Sequence, residues 1–225
     1  MPPPPHRWGH FFTSNQSPTP PFPPKHLPMK PLLIGIGGSS GSIYAKVLLD
    51  RVRAAYTDAE SHLVKIIVSG NGRYNWKFEL GNEDYLNYGF EVIGSKEYHP
   101  VTRQAAADMI IAPCSMGLIS RVAHGMAEDL ISRCMDRALQ FRKHGVLIFR
   151  DKPISPLHSR NIVAIQRAGG LVIPATPSFY TGRESVEDLA RSVVDRALDH
   201  IGVPVAGMYR WGETADARLG EHPMG

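Results

Sequence analysis

Short apolar runs punctuate this chain at residues 31–37 (PLLIGIG), 62–69 (HLVKIIVS), 109–112 (MIIA), 146–149 (VLIF) and 171–174 (LVIP). Each is too short for a helix, and each is apolar almost without a break, as a strand buried on both faces must be. The segments between them follow a different period. Residues 42–55 place Ile43, Val47, Leu48, Val52 and Ala55 on one helical face, and residues 185–201 do the same with Val186, Leu189, Val193, Val194, Ala197 and Leu198. Residues 115–125, 129–143 and 157–168 also read as helices, a helix is expected over 75–80, and residues 90–93 read as one more short strand. Strands of this kind joined by amphipathic helices point to an α/β fold with a doubly wound, Rossmann-like parallel sheet. A single domain accommodates the 225 residues, with enough core to need no staple.

Composition removes several function classes. Ten of the 19 prolines fall within residues 1–30, a stretch without apolar periodicity, so it is expected to be extended and to lie outside the fold. It carries Arg7, Lys25 and Lys30 and no acid, which is +3 of the net +4; the rest of the chain has 22 basic against 21 acidic residues. That body has no excess of charge with which to hold a nucleic acid. No apolar run approaches the roughly 18 residues of a membrane span. No leader pattern opens the chain, so the expected location is cytoplasmic. Two cysteines and no cluster of metal-ligand spacing imply neither a disulfide scaffold nor a metal site.

Gly37-Gly38-Ser39-Ser40-Gly41 joins the first strand to the first helix. Such a loop lets the backbone approach a ligand, and it leads into a helix N-terminus whose free amides favour a phosphate. It is also the composition of a plain tight turn. No Gly-Lys-Ser/Thr follows, so it is not a nucleoside-triphosphate loop. The dinucleotide fingerprint is imperfect: Ser40 stands where the third glycine belongs, and Ser69, not an acid, ends the second strand. A mononucleotide such as FMN fits better than NAD. In the second loop, residues 112–117 (APCSMG), Pro113 is expected to end the strand and Ser115 to cap the next helix, facing the ligand crevice. Cys114 has no sequence-adjacent base and reads as core, as does Cys134.

Taken in order, these motifs resemble one family. Gly38-Ser39-Ser40-Gly41 with Tyr44, residues 112–116 (APCSM), residues 123–125 (AHG), Leu130-Ile131 with Arg133, and Pro153, His158 and Asn161 are similar to the UbiX-type flavin prenyltransferases. So are Pro174, Pro177, Phe179 and Tyr180, residues 185–189 (SVEDL) and residues 210–213 (RWGE). The resemblance spans residues 31–213. It implies a flavodoxin-like subunit that binds FMN and assembles as a homododecamer with active sites between subunits. It also implies transfer of a dimethylallyl group from dimethylallyl phosphate to N5 and C6 of reduced FMN, the prenylated FMN then serving a UbiD-type decarboxylase. By register, Gly38, Ser39, Ser40, Ser69, Ser115, Met116, Gly117, Leu118, Arg133 and Arg150 correspond to cofactor contacts. Tyr180 and Arg196 correspond to the pair that holds the prenyl phosphate, Glu79 to an acid that handles a proton beside the flavin, and Trp211 to a further catalytic position. On this reading residues 1–29 are a disordered, proline-rich extension, 30–213 the FMN-binding unit and 214–225 a tail.

The residue types suit that chemistry. Cations and a phenol stabilise a departing phosphate, an aromatic face tolerates an allyl cation, and a carboxylate can carry the released proton. Two positions at the donor phosphate depart from the family pattern: Gln140 replaces the usual lysine and Asp151 the usual glutamate. The missing charge keeps a second reading open. On that reading the chain is a flavoprotein of the same fold that does not prenylate: a decarboxylase-associated subunit, a flavin-dependent decarboxylase or a flavin carrier.

Overall fold

Alternation along the first strand, β1 (Leu32–Ile36), sends Leu32, Ile34 and Ile36 into one apolar layer and Leu33 into another. The same division holds along β2 (Val64–Val68), β4 (Asp108–Cys114) and β5 (Gly145–Phe149): Ile66, Ile110 and Ile148 share the first layer, and Ile67, Ile111 and Leu147 the second. Both faces of the sheet are therefore buried, as the unbroken apolar runs require. The computed structural model describes residues 29–96, 100, 106–179 and 185–208; Tyr180 and Trp211 lie outside them.

With β3 (Glu91–Gly94) and β6 (Leu171–Pro174), the six strands pair in parallel in the order β3-β2-β1-β4-β5-β6. Helices α1 (Ser42–Ala55), α2 (Gly70–Leu80) and α6 (Val186–His200) contribute to the first layer. Helices α3 (Met116–Ala123), α4 (Leu130–Gln140) and α5 (Pro156–Arg167) contribute to the second. The chain builds outward from β1 to β3, then restarts on the other side of β1 with β4. The carboxyl ends of β1 and β4 thus diverge, which opens the crevice where doubly wound folds bind ligands.

Four expected boundaries move, each for a local reason. Pro113 does not end its strand. β1 pairs with β4 only as far as Ile111, and the register with β5 shifts between Ile111 and Cys114, so no ladder hydrogen bond is asked of the proline. Residues 58–63 form a 3-10 helix, not the start of β2, because Thr57 and Glu60 make a capping box. Helix α2 begins five residues earlier than expected, at Gly70, where the Ser69 hydroxyl accepts the Gly72 amide at 2.9 Å. Helix α4 ends at Gln140, and Arg142 takes a left-handed conformation (φ 55°) just beyond it.

Candidate active site

The carboxyl edge of the sheet brings together the two small-residue loops and the residues after β2 and β5. The loop after β1 lies hard against its neighbours: a Cβ on Gly37 would sit 2.4 Å from the Pro113 carbonyl oxygen, and one on Gly38 2.5 Å from Asn71 Cβ. These two glycines are needed for the loop to pack against β4 and α2, whatever binds beside them. Helix α2 then fastens the loop. Asn75 Nδ2 donates to the Gly38 carbonyl at 3.0 Å, and the Glu79 carboxylate accepts the amides of Gly41 (2.9 Å) and Ser42 (2.6 Å). The Ser39 hydroxyl donates to the Arg150 carbonyl, which joins the loop after β1 to the one after β5.

Glu79 therefore caps the N-terminus of α1. Burial alone would raise its pKa. Hydrogen bonds from the Ser42 amide, the Ser40 hydroxyl, the Gly41 amide and the Ser42 hydroxyl outweigh that and hold it below the usual carboxylate value. Tyr44, half-buried, shifts the other way: burial raises its pKa against the opposing pull of Arg150, and its hydroxyl donates to the Ala175 carbonyl at 3.0 Å. Burial drives the Cys114 thiol far above its ordinary pKa and takes Cys134 to about 11, so neither is a nucleophile at neutral pH.

The expected cofactor residues beyond the glycine loop are placed differently from one another. Ser69 and Ser115 each accept a helix amide, from Gly72 and from Leu118 (3.3 Å), which leaves each hydroxyl hydrogen to donate elsewhere. Gly70 and Gly117 stand in the first turns of α2 and α3 with open backbone: a Cβ on Gly70 would meet nothing within 4 Å, and one on Gly117 nothing nearer than 3.8 Å. Met116 and Leu118, by contrast, are core side chains that face the second apolar layer and can offer a ligand only backbone. Arg133 is exposed and donates to the Ala127 carbonyl at 3.2 Å. Hydroxyl donors, two open helix N-termini and the Arg150 guanidinium fit a phosphorylated mononucleotide such as FMN.

The expected phosphate residues are not assembled within one chain. Asp151 is at the carboxyl edge, where its Oδ2 accepts the Met116 amide at 3.2 Å. Gln140 ends α4 at the opposite, amino edge and donates to Asp136 at 2.7 Å. Arg196 is exposed on α6, ten residues and so about 15 Å along the axis from Val186 at the carboxyl end. Parallel topology forces this separation, because every helix after a strand runs back towards the amino edge. Tyr180 and Trp211 fall outside the described residues.

Reasoning from sequence also missed residues. Asn71 and Asn75 stand eight and four residues before the expected Glu79, on the face of α2 towards the glycine loop, a spacing hidden when the helix is started at residue 75. Lys152 lines the same cavity as Arg150 and Asp151, and its only sequence signal was adjacency.

A sheet with this switch point and this donor set defines an α/β mononucleotide-binding protein. A model of the Flavoprotein family matches residues 23–198. A probable UbiX-like flavin prenyltransferase from Bacillus subtilis is 32% identical over 188 residues, covering 80% of this chain and 88% of the relative. Flavin prenyltransferase UbiX of Deinococcus radiodurans is 33% identical over 187 residues, covering 81% and 93%. A UbiX crystal structure in complex with FMN and dimethylallyl pyrophosphate superposes with a TM-score of 0.74 at 27% identity, covering 82% of this chain and 98% of the other. A dodecameric FMN-dependent UbiX-like decarboxylase from Escherichia coli O157:H7 gives 0.73 at 26% identity, covering 83% and 100%. The chain belongs to the Flavoprotein family and, within it, to the UbiX-type flavin prenyltransferases.

Proposed function

We propose that this protein binds FMN at the carboxyl edge of its sheet and transfers a dimethylallyl group from a dimethylallyl phosphate to the reduced flavin. The observation that carries this reading is the coincidence of family membership with an open donor set at the switch point: Ser69, Ser115, the backbone at Gly70 and Gly117, and Arg150. Reduced FMN supplies the nucleophile. The protein's part is to hold the two substrates, to stabilise the phosphate that leaves and to accept a proton. Glu79 is placed for the last role, but with its pKa lowered by four donors it is a weak base until some of them are withdrawn. Arg150 at the carboxyl edge and Arg196 near the amino edge cannot meet on one phosphate within a protomer, so the site is completed between subunits, in a dodecamer. The catalytic unit is residues 30–213, acting in the cytoplasm, and a UbiD-type decarboxylase takes the product.

Mass spectrometry of the flavin after anaerobic incubation of the protein with reduced FMN and dimethylallyl phosphate tests the reading. The expected product is FMN enlarged by one prenyl unit. Unmodified FMN at the end of the incubation, with the flavin bound throughout, would replace this reading with that of a flavoprotein that does not prenylate.

A further inference from the structure

The loop that leaves β5 carries three charged residues in a row, Arg150, Asp151 and Lys152. All three line one cavity of about 290 Å³, which continues over Phe149, Ile154 and Ala175. Together they leave one positive charge in excess. The Asp151 carboxylate is turned to backbone: Oδ2 accepts the Met116 amide at 3.2 Å and Oδ1 the Lys152 amide at 2.9 Å. Among the described residues, no carboxylate pairs with the Arg150 guanidinium or the Lys152 ammonium. Elsewhere among the described residues, Lys77 pairs with Glu83 and Arg121 with Asp129. With the one carboxylate of the cavity turned to backbone, the two cations leave a positive charge in excess that an anion can join. A guanidinium fork and a compact ammonium on residues that line one cavity suit the oxygens of a phosphate, and the apolar lining suits a short hydrocarbon tail.

We infer that Lys152 is a donor-binding residue, which supplies the phosphate with the positive charge that Gln140 cannot. Gln140 is uncharged, and its amide is engaged by Asp136 of the same helix. Lys143 lies at the same amino edge as Gln140, just before β5 begins at Gly145, so like Gln140 it can approach Arg150 only from another subunit. Lys152 lies in the cavity itself, on an exposed loop, where its ammonium can meet a phosphate without disturbing the fold. The inference rests on the prenyl-transfer reading for the identity of the ligand, though not for the presence of an anion site.

Calorimetry on the FMN-loaded full chain, titrated separately with inorganic phosphate and with dimethylallyl phosphate, tests it alongside prenylation kinetics. Lys152→Ala should weaken both ligands and raise the KM for dimethylallyl phosphate by about ten- to 150-fold, the value of one charge-assisted hydrogen bond, with FMN affinity unchanged. Lys152→Arg should keep most of the binding. Adding Gln140→Lys to Lys152→Ala should restore part of it, which a merely structural role for Lys152 would not allow. If Lys152→Ala binds both ligands as the wild type does, the assignment of Lys152 is overturned, whatever the wild type does to flavin. If phosphate binding depends on Lys152 but no prenylated flavin forms, the anion site stands and the prenyl-transfer reading falls.

Discussion

Glu79 shows how one side chain can hold two elements together. Its carboxylate reaches from the last turn of α2 to the free amides at the start of α1, where a negative charge also meets the positive end of the helix dipole. Glu79→Gln keeps an oxygen acceptor but loses the charge, and should cost about 1 kcal/mol, a typical value for a cap. The sign of the pH dependence follows from the direction of its shift. Folding lowers the pKa of Glu79, so its stabilisation is complete above the ordinary carboxylate range and is lost as pH falls through the lowered value. Urea unfolding of both proteins should give a constant difference from pH 8 down to about pH 5, closing below that as the wild-type carboxylate protonates. A difference that widens in acid would mean that the donors to Glu79 are not what lowers its pKa.

At the scale of elements, the glycines around the crevice do two different jobs, and substitution separates them. Gly37→Ala would drive a methyl to 2.4 Å from the Pro113 carbonyl, which belongs to a central strand and cannot yield. The loop after β1 must then lift, at a cost of about 1–3 kcal/mol. Gly70→Ala meets nothing and removes backbone freedom from the unfolded chain, so the fold should gain about 0.4–1 kcal/mol. Flavin affinity should nevertheless fall for Gly70→Ala, because its methyl occupies space open to the ligand. Thermal melts with and without FMN distinguish the two. Both glycines were visible in the sequence, but their roles were not. A run of small residues announces a turn or a close approach, and only the fold says whether strand or ligand approaches. The strands were legible because burial on both faces leaves an unbroken apolar run. The start of α2 was not, because two glycines in its first turn lower helix propensity and the Ser69 cap had to offset them.

Over the whole molecule, the division between the two edges of the sheet decides which parts of the site a single chain can build. The expected residues that fall in the loops after the strands or at the caps beyond them, namely Ser39, Ser69, Ser115, Arg150 and Asp151, do gather at the carboxyl edge. Residues known only by register on helices, Gln140 and Arg196, do not. Sequence order shows which strand end a loop belongs to, but it does not show that a helix carries its later residues back across the sheet.

That separation has a genetic consequence. Arg150 and Arg196 of one chain would serve different active sites, so two inactive variants can repair one another. Arg150→Ala and Arg196→Ala proteins, each silent alone, should regain activity when unfolded together and reassembled. In an equal mixture, about one site in four should draw its Arg150 from the Arg196→Ala chain and its Arg196 from the Arg150→Ala chain. Each variant refolded by itself is the control, and prenylated flavin formed per subunit is the measure. A mixture no more active than its parents would place both arginines of a site on the same chain. Activity in the mixture would make this enzyme one in which the unit of inheritance is the chain and the unit of catalysis is the contact between two of them.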